Sequence, residues 1–246
     1  MKIIVPVLVL LVIAFLVNHW LRSRQKEDFV FSDSSSPKST IRDTLFGDTA
    51  LERWMGDGQG IPWSHFAAGK RSLDDGNREQ AASCFKQVLN VPNLEPRHYL
   101  QAWHFLRPLG HNPTPEESRK VLGVVVEIPI QDGLDLVAAY PDHTARYYNF
   151  SGAGVVWSHP DASLDQQIDQ LICAGEAVAK QLSPWPGSRP KPPSTGQVRL
   201  SFLTPAGISF GQGPFQDLAA DPNGGPVIAA AADLMQALMA KAQPKQ

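Results

Sequence analysis

The side chains most capable of chemistry in this sequence lie in and after one stretch rich in β-branched residues. They are a carboxylate, an imidazole, a guanidinium and a phenol, carried by Glu127, His143, Arg146 and Tyr148. Such a set can bind a polar ligand or exchange protons with it. Because alternate residues of a strand share a face, we expect Glu127, Arg146 and Tyr148 on one face of a sheet. Arg199, on a later strand, is a further binding candidate, and the alternative is an open sheet face with cross-strand ion pairs.

The sequence contains no motif that would turn this cluster into an enzyme. It has no Gly-x-Ser-x-Gly nucleophile motif, and Gly207, Gly211 and Gly213 are not followed by the Lys-Ser/Thr of a phosphate loop. The seven histidines are scattered and the two cysteines, Cys84 and Cys173, are 89 positions apart, so no short metal-ligand spacing occurs. We therefore predict no catalytic residues, no cofactor and no metal.

The two cysteines are too few for a disulfide framework. Cys84 and Cys173 each lie in an apolar, helix-like context, which predicts buried free thiols. The alternative is a nucleophilic Cys173 with His143 or His159 as its base. Nothing in the sequence identifies the helix N-terminus or cationic pocket that would lower the pKa of such a thiol.

The longest apolar stretch lies near the amino terminus. Residues 3–17 are all apolar or proline, and the first charge after them is Arg22. The nineteen residues 3–21 would form a helix about 28 Å long, close to the hydrocarbon thickness of a bilayer. We therefore predict a membrane anchor over residues 1–25 that contacts lipid through residues 3–21. The alternative is a cleaved secretory signal, but no small-x-small cleavage site follows the stretch.

Basic residues on the two sides of this stretch predict its orientation. Arg22, Arg24 and Lys26 outnumber Lys2 and the amino terminus by one charge. The positive-inside rule then places the rest of the chain in the cytoplasm. We expect a single-pass protein of a bacterial inner membrane.

Beyond the predicted anchor the chain is acidic. After residue 26 it holds 18 basic and 24 acidic side chains, a net charge of −6. No basic cluster that could neutralise phosphates is present, which argues against a nucleic-acid partner. Residues 26–44 are polar and Ser-rich, and they predict a flexible tether between the membrane and the body.

Residues 64–93 have the pattern of two helices that carry small residues where they face each other and are joined by a glycine turn. The pattern includes the small pair Ala68-Gly69, the turn at Gly76, and Ala81 four residues before Phe85. This stretch resembles one tetratricopeptide repeat, although it has His65 and Ser72 where the family has large aromatic residues, and its closing proline is displaced. The resemblance implies a helix hairpin that stacks on a further helix and offers a concave face to a peptide.

Further helices are expected around this hairpin. Leu51, Trp54 and Met55 have helical spacing, and residues 97–109 predict another helix that begins after Pro96. Thr114 and Glu117 have the spacing of a capping box. We therefore predict a helical lobe over residues 45–120.

The composition changes at residue 121 to short strands with turn residues between them. Residues 121–130, 134–140, 144–150 and 155–157 predict an antiparallel meander, and residues 198–203 and 208–211 predict a hairpin. Two helices are expected, over 164–182, capped by Asp161 or Ser163, and over 227–241. The fold class is therefore α+β: a sheet of about six strands with two helices on one face, over residues 121–246.

A proline-rich segment, residues 184–193, interrupts this domain. It can be an extended ligand for a proline-binding module or a stiff loop anchored by Trp185. Because it lies between two elements of one domain, we interpret it as a loop.

Two classes of function fit these observations. The first is a membrane-anchored interaction protein that holds a protein or peptide near the bilayer, as a scaffold does. The second is an anchored small-ligand sensor or hydrolase that uses Glu127, Arg146 and Tyr148. The absence of catalytic motifs favours the first.

Overall fold

The computed structural model describes residues 41–50, 59–130 and 133–242, and it has six α-helices and one six-stranded antiparallel sheet in them. The helices are α1 (Trp63–Asp74), α2 (Arg78–Leu89), α3 (Pro96–Leu106), α4 (Asp165–Ala179), α5 (Phe215–Ala220) and α6 (Gly224–Ala242). The strands are β1 (Gly123–Ile130), β2 (Gly133–Ala139), β3 (Ala145–Tyr148), β4 (Gly154–Trp157), β5 (Gln197–Thr204) and β6 (Gly207–Pro214). The predicted α+β class is confirmed.

The strands follow the order β4-β3-β2-β1-β5-β6. The meander of β1–β4 and the hairpin of β5 and β6 are those expected from the sequence, and they join where β1 pairs antiparallel with β5. Val124, Val125 and Val126 at the centre of β1 are almost completely buried, because both faces of this strand are covered.

Different layers cover the two faces of the sheet. Helices α4 and α6 pack on one face, which confirms the two predicted helices. On the opposite face Leu45, Phe46 and Leu100 form a buried cluster with residues of β1, β2 and β5. The helical part and the sheet therefore share a core, and the described elements belong to one compact unit, Ser39–Gln246.

Helices α1, α2 and α3 pack through a cluster of phenylalanine rings. The ring centroid of Phe105 lies 6.0 Å from that of Phe66 and 5.0 Å from that of Phe85. Gly69 of α1 lies against Phe85 so closely that a Cβ atom there would be 2.3 Å from the ring. The hairpin thus depends on a small residue at this position, and α3 packs beside it as a third helix.

Helix α4 corrects two expectations. Neither Asp161 nor Ser163 caps it; its N-cap residue is Leu164, which makes no side-chain capping bond, and Asp161 instead accepts a hydrogen bond from the Ser163 amide. Cys173 is exposed, so the prediction of a buried thiol is wrong there, whereas Cys84 is buried as expected. The buried positions of α4 include Ile172, and the next residue is turned about 100° away from it, toward solvent.

The proline-rich segment is a loop, as interpreted. The Trp185 amide donates to the Ile208 carbonyl at 2.7 Å, and the Trp185 ring lies 5.3 Å from that of Phe210. The Thr114–Glu117 capping box also forms, since each side chain accepts a hydrogen bond from the other's backbone amide, but it opens only a short 3₁₀ turn, Glu117–Arg119. The sequence pattern did not indicate α5.

The predicted anchor, residues 1–25, lies outside the described residues. So do nearly all of the predicted tether and the helix expected around Leu51, Trp54 and Met55. Within the part of the chain that is described, none of the helices combines the length and apolar character needed to cross a bilayer.

Candidate functional site

The five predicted binding residues lie in three separate places. Glu127 and Arg199 are neighbours across β1 and β5, on the sheet face that is opposite α4 and α6. Arg146 and Tyr148 lie on the same face in β3, as the alternation of the strands predicted. His143 is in the turn between β2 and β3 and contacts α4 instead.

Glu127 is completely buried and fully paired. Its carboxylate accepts hydrogen bonds from Arg42 at 2.5 and 3.2 Å and from Arg199 at 3.3 Å. Burial lowers the pKa of Arg199, while the adjacent Glu127 charge acts in the opposite direction. Gln212 also accepts from Arg199, at 2.6 and 2.9 Å. This part of the face is therefore a covered ion-pair network.

Arg146 pairs with the helical part of the chain. Its guanidinium lies 3.4 Å from Glu95, which also bonds Arg97. Burial raises the pKa of Glu95, but the hydrogen bond and charge of Arg97 and the charge of Arg146 bring it below its ordinary value. Tyr148 is half-buried and packs against the shared core. Arg146 thus joins β3 to the residue that precedes α3.

The predicted hairpin-packing residues lie in α1, α2 and the turn between them, and they differ in burial. Ala81 and Phe85 are fully buried, and Gly76 forms the turn with a φ of +77°. Gly69 is buried against Phe85, but Ala68 is only half-buried, and its neighbour Ala67 faces the core.

A cavity of about 270 Å³ lies where the helical part, the β5–β6 turn and the proline-rich loop meet. Its apolar wall includes Phe46, Leu100, Leu203, Ile208 and Trp185. Its polar lining includes Asp48, His104, Arg107, Ser188, Arg189 and Thr204. A mostly apolar hollow with a few polar groups is typical of a ligand-binding site.

Arg107 is the charged group of the cavity lining that has no carboxylate partner among the described residues. It follows α3 directly and donates to the Pro205 carbonyl at 2.7 Å. Among the described residues no carboxylate lies within ion-pair distance of it. Burial lowers its pKa, and only the more distant charge of Asp48 acts in the opposite direction. An anionic ligand would supply the missing charge.

Arg189, another residue that lines the cavity, joins two segments of its lining. Its guanidinium donates to Asp48 at 2.7 and 3.1 Å and to Asp43 at 2.5 Å, and it lies 4.3 Å from the ring centroid of Phe46. Burial lowers the pKa of Arg189, but the two carboxylates outweigh that effect and raise it overall. The proline-rich loop is thereby fixed to the segment that precedes α1.

Gly47 allows this segment to approach α3. Its φ is +59°, and a Cβ atom there would lie 2.6 Å from the Arg97 carbonyl oxygen. A side chain at this position would push the wall of the cavity away from α3.

The cavity residues were not identified from the sequence. Arg107, Asp48 and Arg189 come from three segments that are far apart in the chain, so no short motif connects them. Trp185 was identified as an anchor of the loop, which it is. In the sequence, Arg107, Asp48 and Arg189 are simply polar residues near a helix end or a proline, which does not distinguish them from many others.

A second group of residues has the donor atoms to hold a metal. His143, His159 and Asp165 each offer one ligand atom, and these atoms lie within 4.8 Å of one another. The spacing of histidines in the sequence did not indicate this group, because His143 lies in a turn, His159 in a connection and Asp165 in a helix.

Comparison of the chain with protein-family models, with curated proteins and with solved structures finds no match.

Proposed function

We propose that this protein is a non-catalytic, membrane-anchored interaction protein, and that it binds a carboxylate-bearing segment of a protein partner in the cavity beside Arg107. The observation that carries the proposal is this half-buried arginine, which lines an apolar-walled cavity and has no carboxylate partner among the described residues. A guanidinium in such a place forms strong, charge-assisted hydrogen bonds with a carboxylate.

The cavity is large enough for only a small part of a larger ligand. A volume of about 270 Å³ is below the range usual for drug-sized molecules. It suits one terminal residue or acidic side chain of a peptide, with the remainder lying on the surface outside. Capture of a terminal carboxylate is an established way in which proteins recognise peptides.

Two features of the sequence support the wider role. The apolar residues 3–21 would hold the protein at the bilayer, which raises the effective concentration of any membrane partner. The tetratricopeptide-like hairpin, with α3 packed beside it, places helices next to the cavity, since α3 and the residues after it form part of its wall.

The test is a binding measurement on the full chain in detergent micelles. The probe is a fluorescent pool of random hexapeptides with free carboxyl termini, compared with the same pool amidated at that terminus. We expect the free-acid pool to bind at least about tenfold more tightly, because hydrogen bonds to charged groups contribute about 1.5–3 kcal/mol. Arg107→Gln should remove this preference, and fluorescence anisotropy measures it.

Arg119→Gln is the matched control, because Arg119 is an exposed arginine in the short 3₁₀ turn Glu117–Arg119, outside the cavity lining. It should keep the preference for the free acid. Equal binding of the two pools, or an Arg107→Gln variant that binds as the parent does, would contradict the proposal. Direct binding of succinate without binding of either peptide pool would also contradict the proposal and would indicate a small-ligand sensor.

The alternative that uses Glu127, Arg146 and Tyr148 as a sensor or hydrolase site has less support. Glu127 is fully buried beneath Arg42 and Arg199, and Arg146 is paired with Glu95. A ligand that used these groups would have to displace three ion pairs, Glu127 with Arg42, Glu127 with Arg199, and Arg146 with Glu95.

A further inference from the structure

Three potential metal ligands meet on the side of the sheet that carries α4. His143 is in the turn between β2 and β3, His159 is in the connection from β4 to α4, and Asp165 is the first residue of α4. His159 and Asp165 are six residues apart, and the fold brings His143 to them from the β2–β3 turn. None of the three lines the cavity described above. All three are at least partly accessible, with side-chain exposures of 30%, 47% and 25% respectively.

The distances between the donor atoms are close to those of a coordination shell. His159 Nε2 lies 3.0 Å from both carboxylate oxygens of Asp165, and His143 Nδ1 lies 3.9 Å from one of them. In a tetrahedral site with bonds of about 2.0–2.1 Å, the donor atoms would be roughly 3.3 Å apart. Movements of the partly exposed His143 and His159 side chains would place all three donors around one ion.

The arrangement of the two rings agrees with a shared ion. The His143 and His159 rings are stacked, with centroids 5.1 Å apart and planes at 27°. The distances given above show that His143 Nδ1 and His159 Nε2 both lie near the Asp165 carboxylate. Two neutral imidazoles and one carboxylate are a donor set that Zn²⁺ and its neighbours in the first transition row accept, with a position left for water.

Asp169 supplies the outer contact that metal-binding histidines usually have. It lies one turn beyond Asp165 on α4, and its Oδ1 is 3.1 Å from His143 Nε2. In the tautomer that carries its hydrogen on Nε2, His143 donates a hydrogen bond to Asp169, and the lone pair of Nδ1 is free to bind the ion. The backbone of His143 also has an uncommon φ of +60°.

We propose that His143, His159 and Asp165 form a binding site for a divalent transition metal, with Zn²⁺ as the expected ion and Asp169 as a positioning residue. The two carboxylates balance the charge of the ion. A bound ion would join the β2–β3 turn and the β4–α4 connection to the start of α4. The site is independent of the proposed function, because none of its residues lines the cavity beside Arg107.

The test is a titration of the full chain, purified in detergent and stripped of metal, with ZnCl₂ in competition with a chromophoric chelator. We expect one ion per chain to bind saturably, and Co²⁺ to give visible d–d absorption in the same site. His159→Gln should weaken binding at least about tenfold; because the His159 side chain is 47% exposed, the fold should not change. Circular dichroism verifies that each variant remains folded.

His111→Gln is the control, since His111 lies outside the cluster. It should bind Zn²⁺ as the parent does. Asp169→Asn should weaken binding by about 10- to 100-fold while one ion still binds at saturation. The proposal is overturned if no saturable binding occurs, or if His159→Gln and His111→Gln have equal effects.

Discussion

Glu127 shows at the scale of one residue what sequence patterns can and cannot indicate. Strand alternation correctly placed Glu127, Arg146 and Tyr148 on one face. It could not indicate that Arg42 and the proline-rich loop cover part of that face, because those segments are distant in sequence. A carboxylate expected on an open face is therefore one of the most buried charged groups in the described part of the chain.

Gly69 leads to a prediction about stability. Replacing it with alanine would place a Cβ atom 2.3 Å from the Phe85 ring, which is fully buried and held by Phe105. Because the ring cannot move freely, we expect Gly69→Ala to lower the free energy of unfolding by about 1–3 kcal/mol. Urea denaturation followed by circular dichroism measures the change.

Gly211→Ala is the control for this prediction, because nothing lies within 4 Å of the added atom on β6. Its free energy of unfolding should stay within about 0.5 kcal/mol of the parent value. A Gly69→Ala variant as stable as Gly211→Ala would show that α1 and α2 can separate without cost.

At the scale of elements, the positions of helices and strands followed from sequence much better than the contacts between them. The change to β-branched residues at residue 121 predicted β1, and the glycine and proline turns predicted the meander and the hairpin. The short helix α5 has only six residues, too few for a periodic pattern to identify it.

The candidate site depends on those contacts, and it was therefore harder to foresee. The cavity beside Arg107 and the cluster at His143 each combine residues from three or more segments. Periodicity and motif spacing report on neighbours along the chain, whereas these sites need the complete packing of the sheet with its two layers. The tetratricopeptide-like spacing of Gly69, Ala81 and Phe85 and the capping box of Thr114 and Glu117 were local enough to predict contacts.

The proline-rich loop leads to a prediction about an element. Arg189 joins this loop to Asp43 and Asp48, and its side chain is only 9% exposed. Removing one partner of a buried ion pair leaves uncompensated charge, so Arg189→Ala should lower the free energy of unfolding by about 3–5 kcal/mol. Urea denaturation measures this loss.

Lys191→Ala is the matched control, since Lys191 is an exposed cation in the same loop. It should leave stability unchanged. If Arg189→Ala were as stable as Lys191→Ala, the loop would be held mainly by Trp185 and its contact with β6.

For the whole molecule, the membrane anchor remains a prediction that an experiment can decide. We expect the full chain to sediment with membranes and to require detergent for release. Leu10→Arg combined with Ile13→Arg should move it to the wash without detergent, because each arginine at the centre of a span costs about 2.5–3.5 kcal/mol. Membrane fractionation followed by immunoblotting measures the distribution.

Ser35→Arg is the control, because Ser35 lies in the Ser-rich segment beyond the apolar stretch. It should remain with the membrane fraction. A parent chain recovered in the wash with residues 3–21 intact would contradict the anchor, and with it the proposal that the partner is held at the bilayer.

The order of strands in the sheet also has a kinetic consequence. Four of its five pairings join strands that are consecutive in sequence, and only β1 with β5 does not. The hairpins can form within microseconds, but pairing β1 with β5 first requires the chain between Ile130 and Gln197 to close into a loop, at an entropic cost. Formation of the β1–β5 pairing is therefore expected to limit the folding rate of newly made chains.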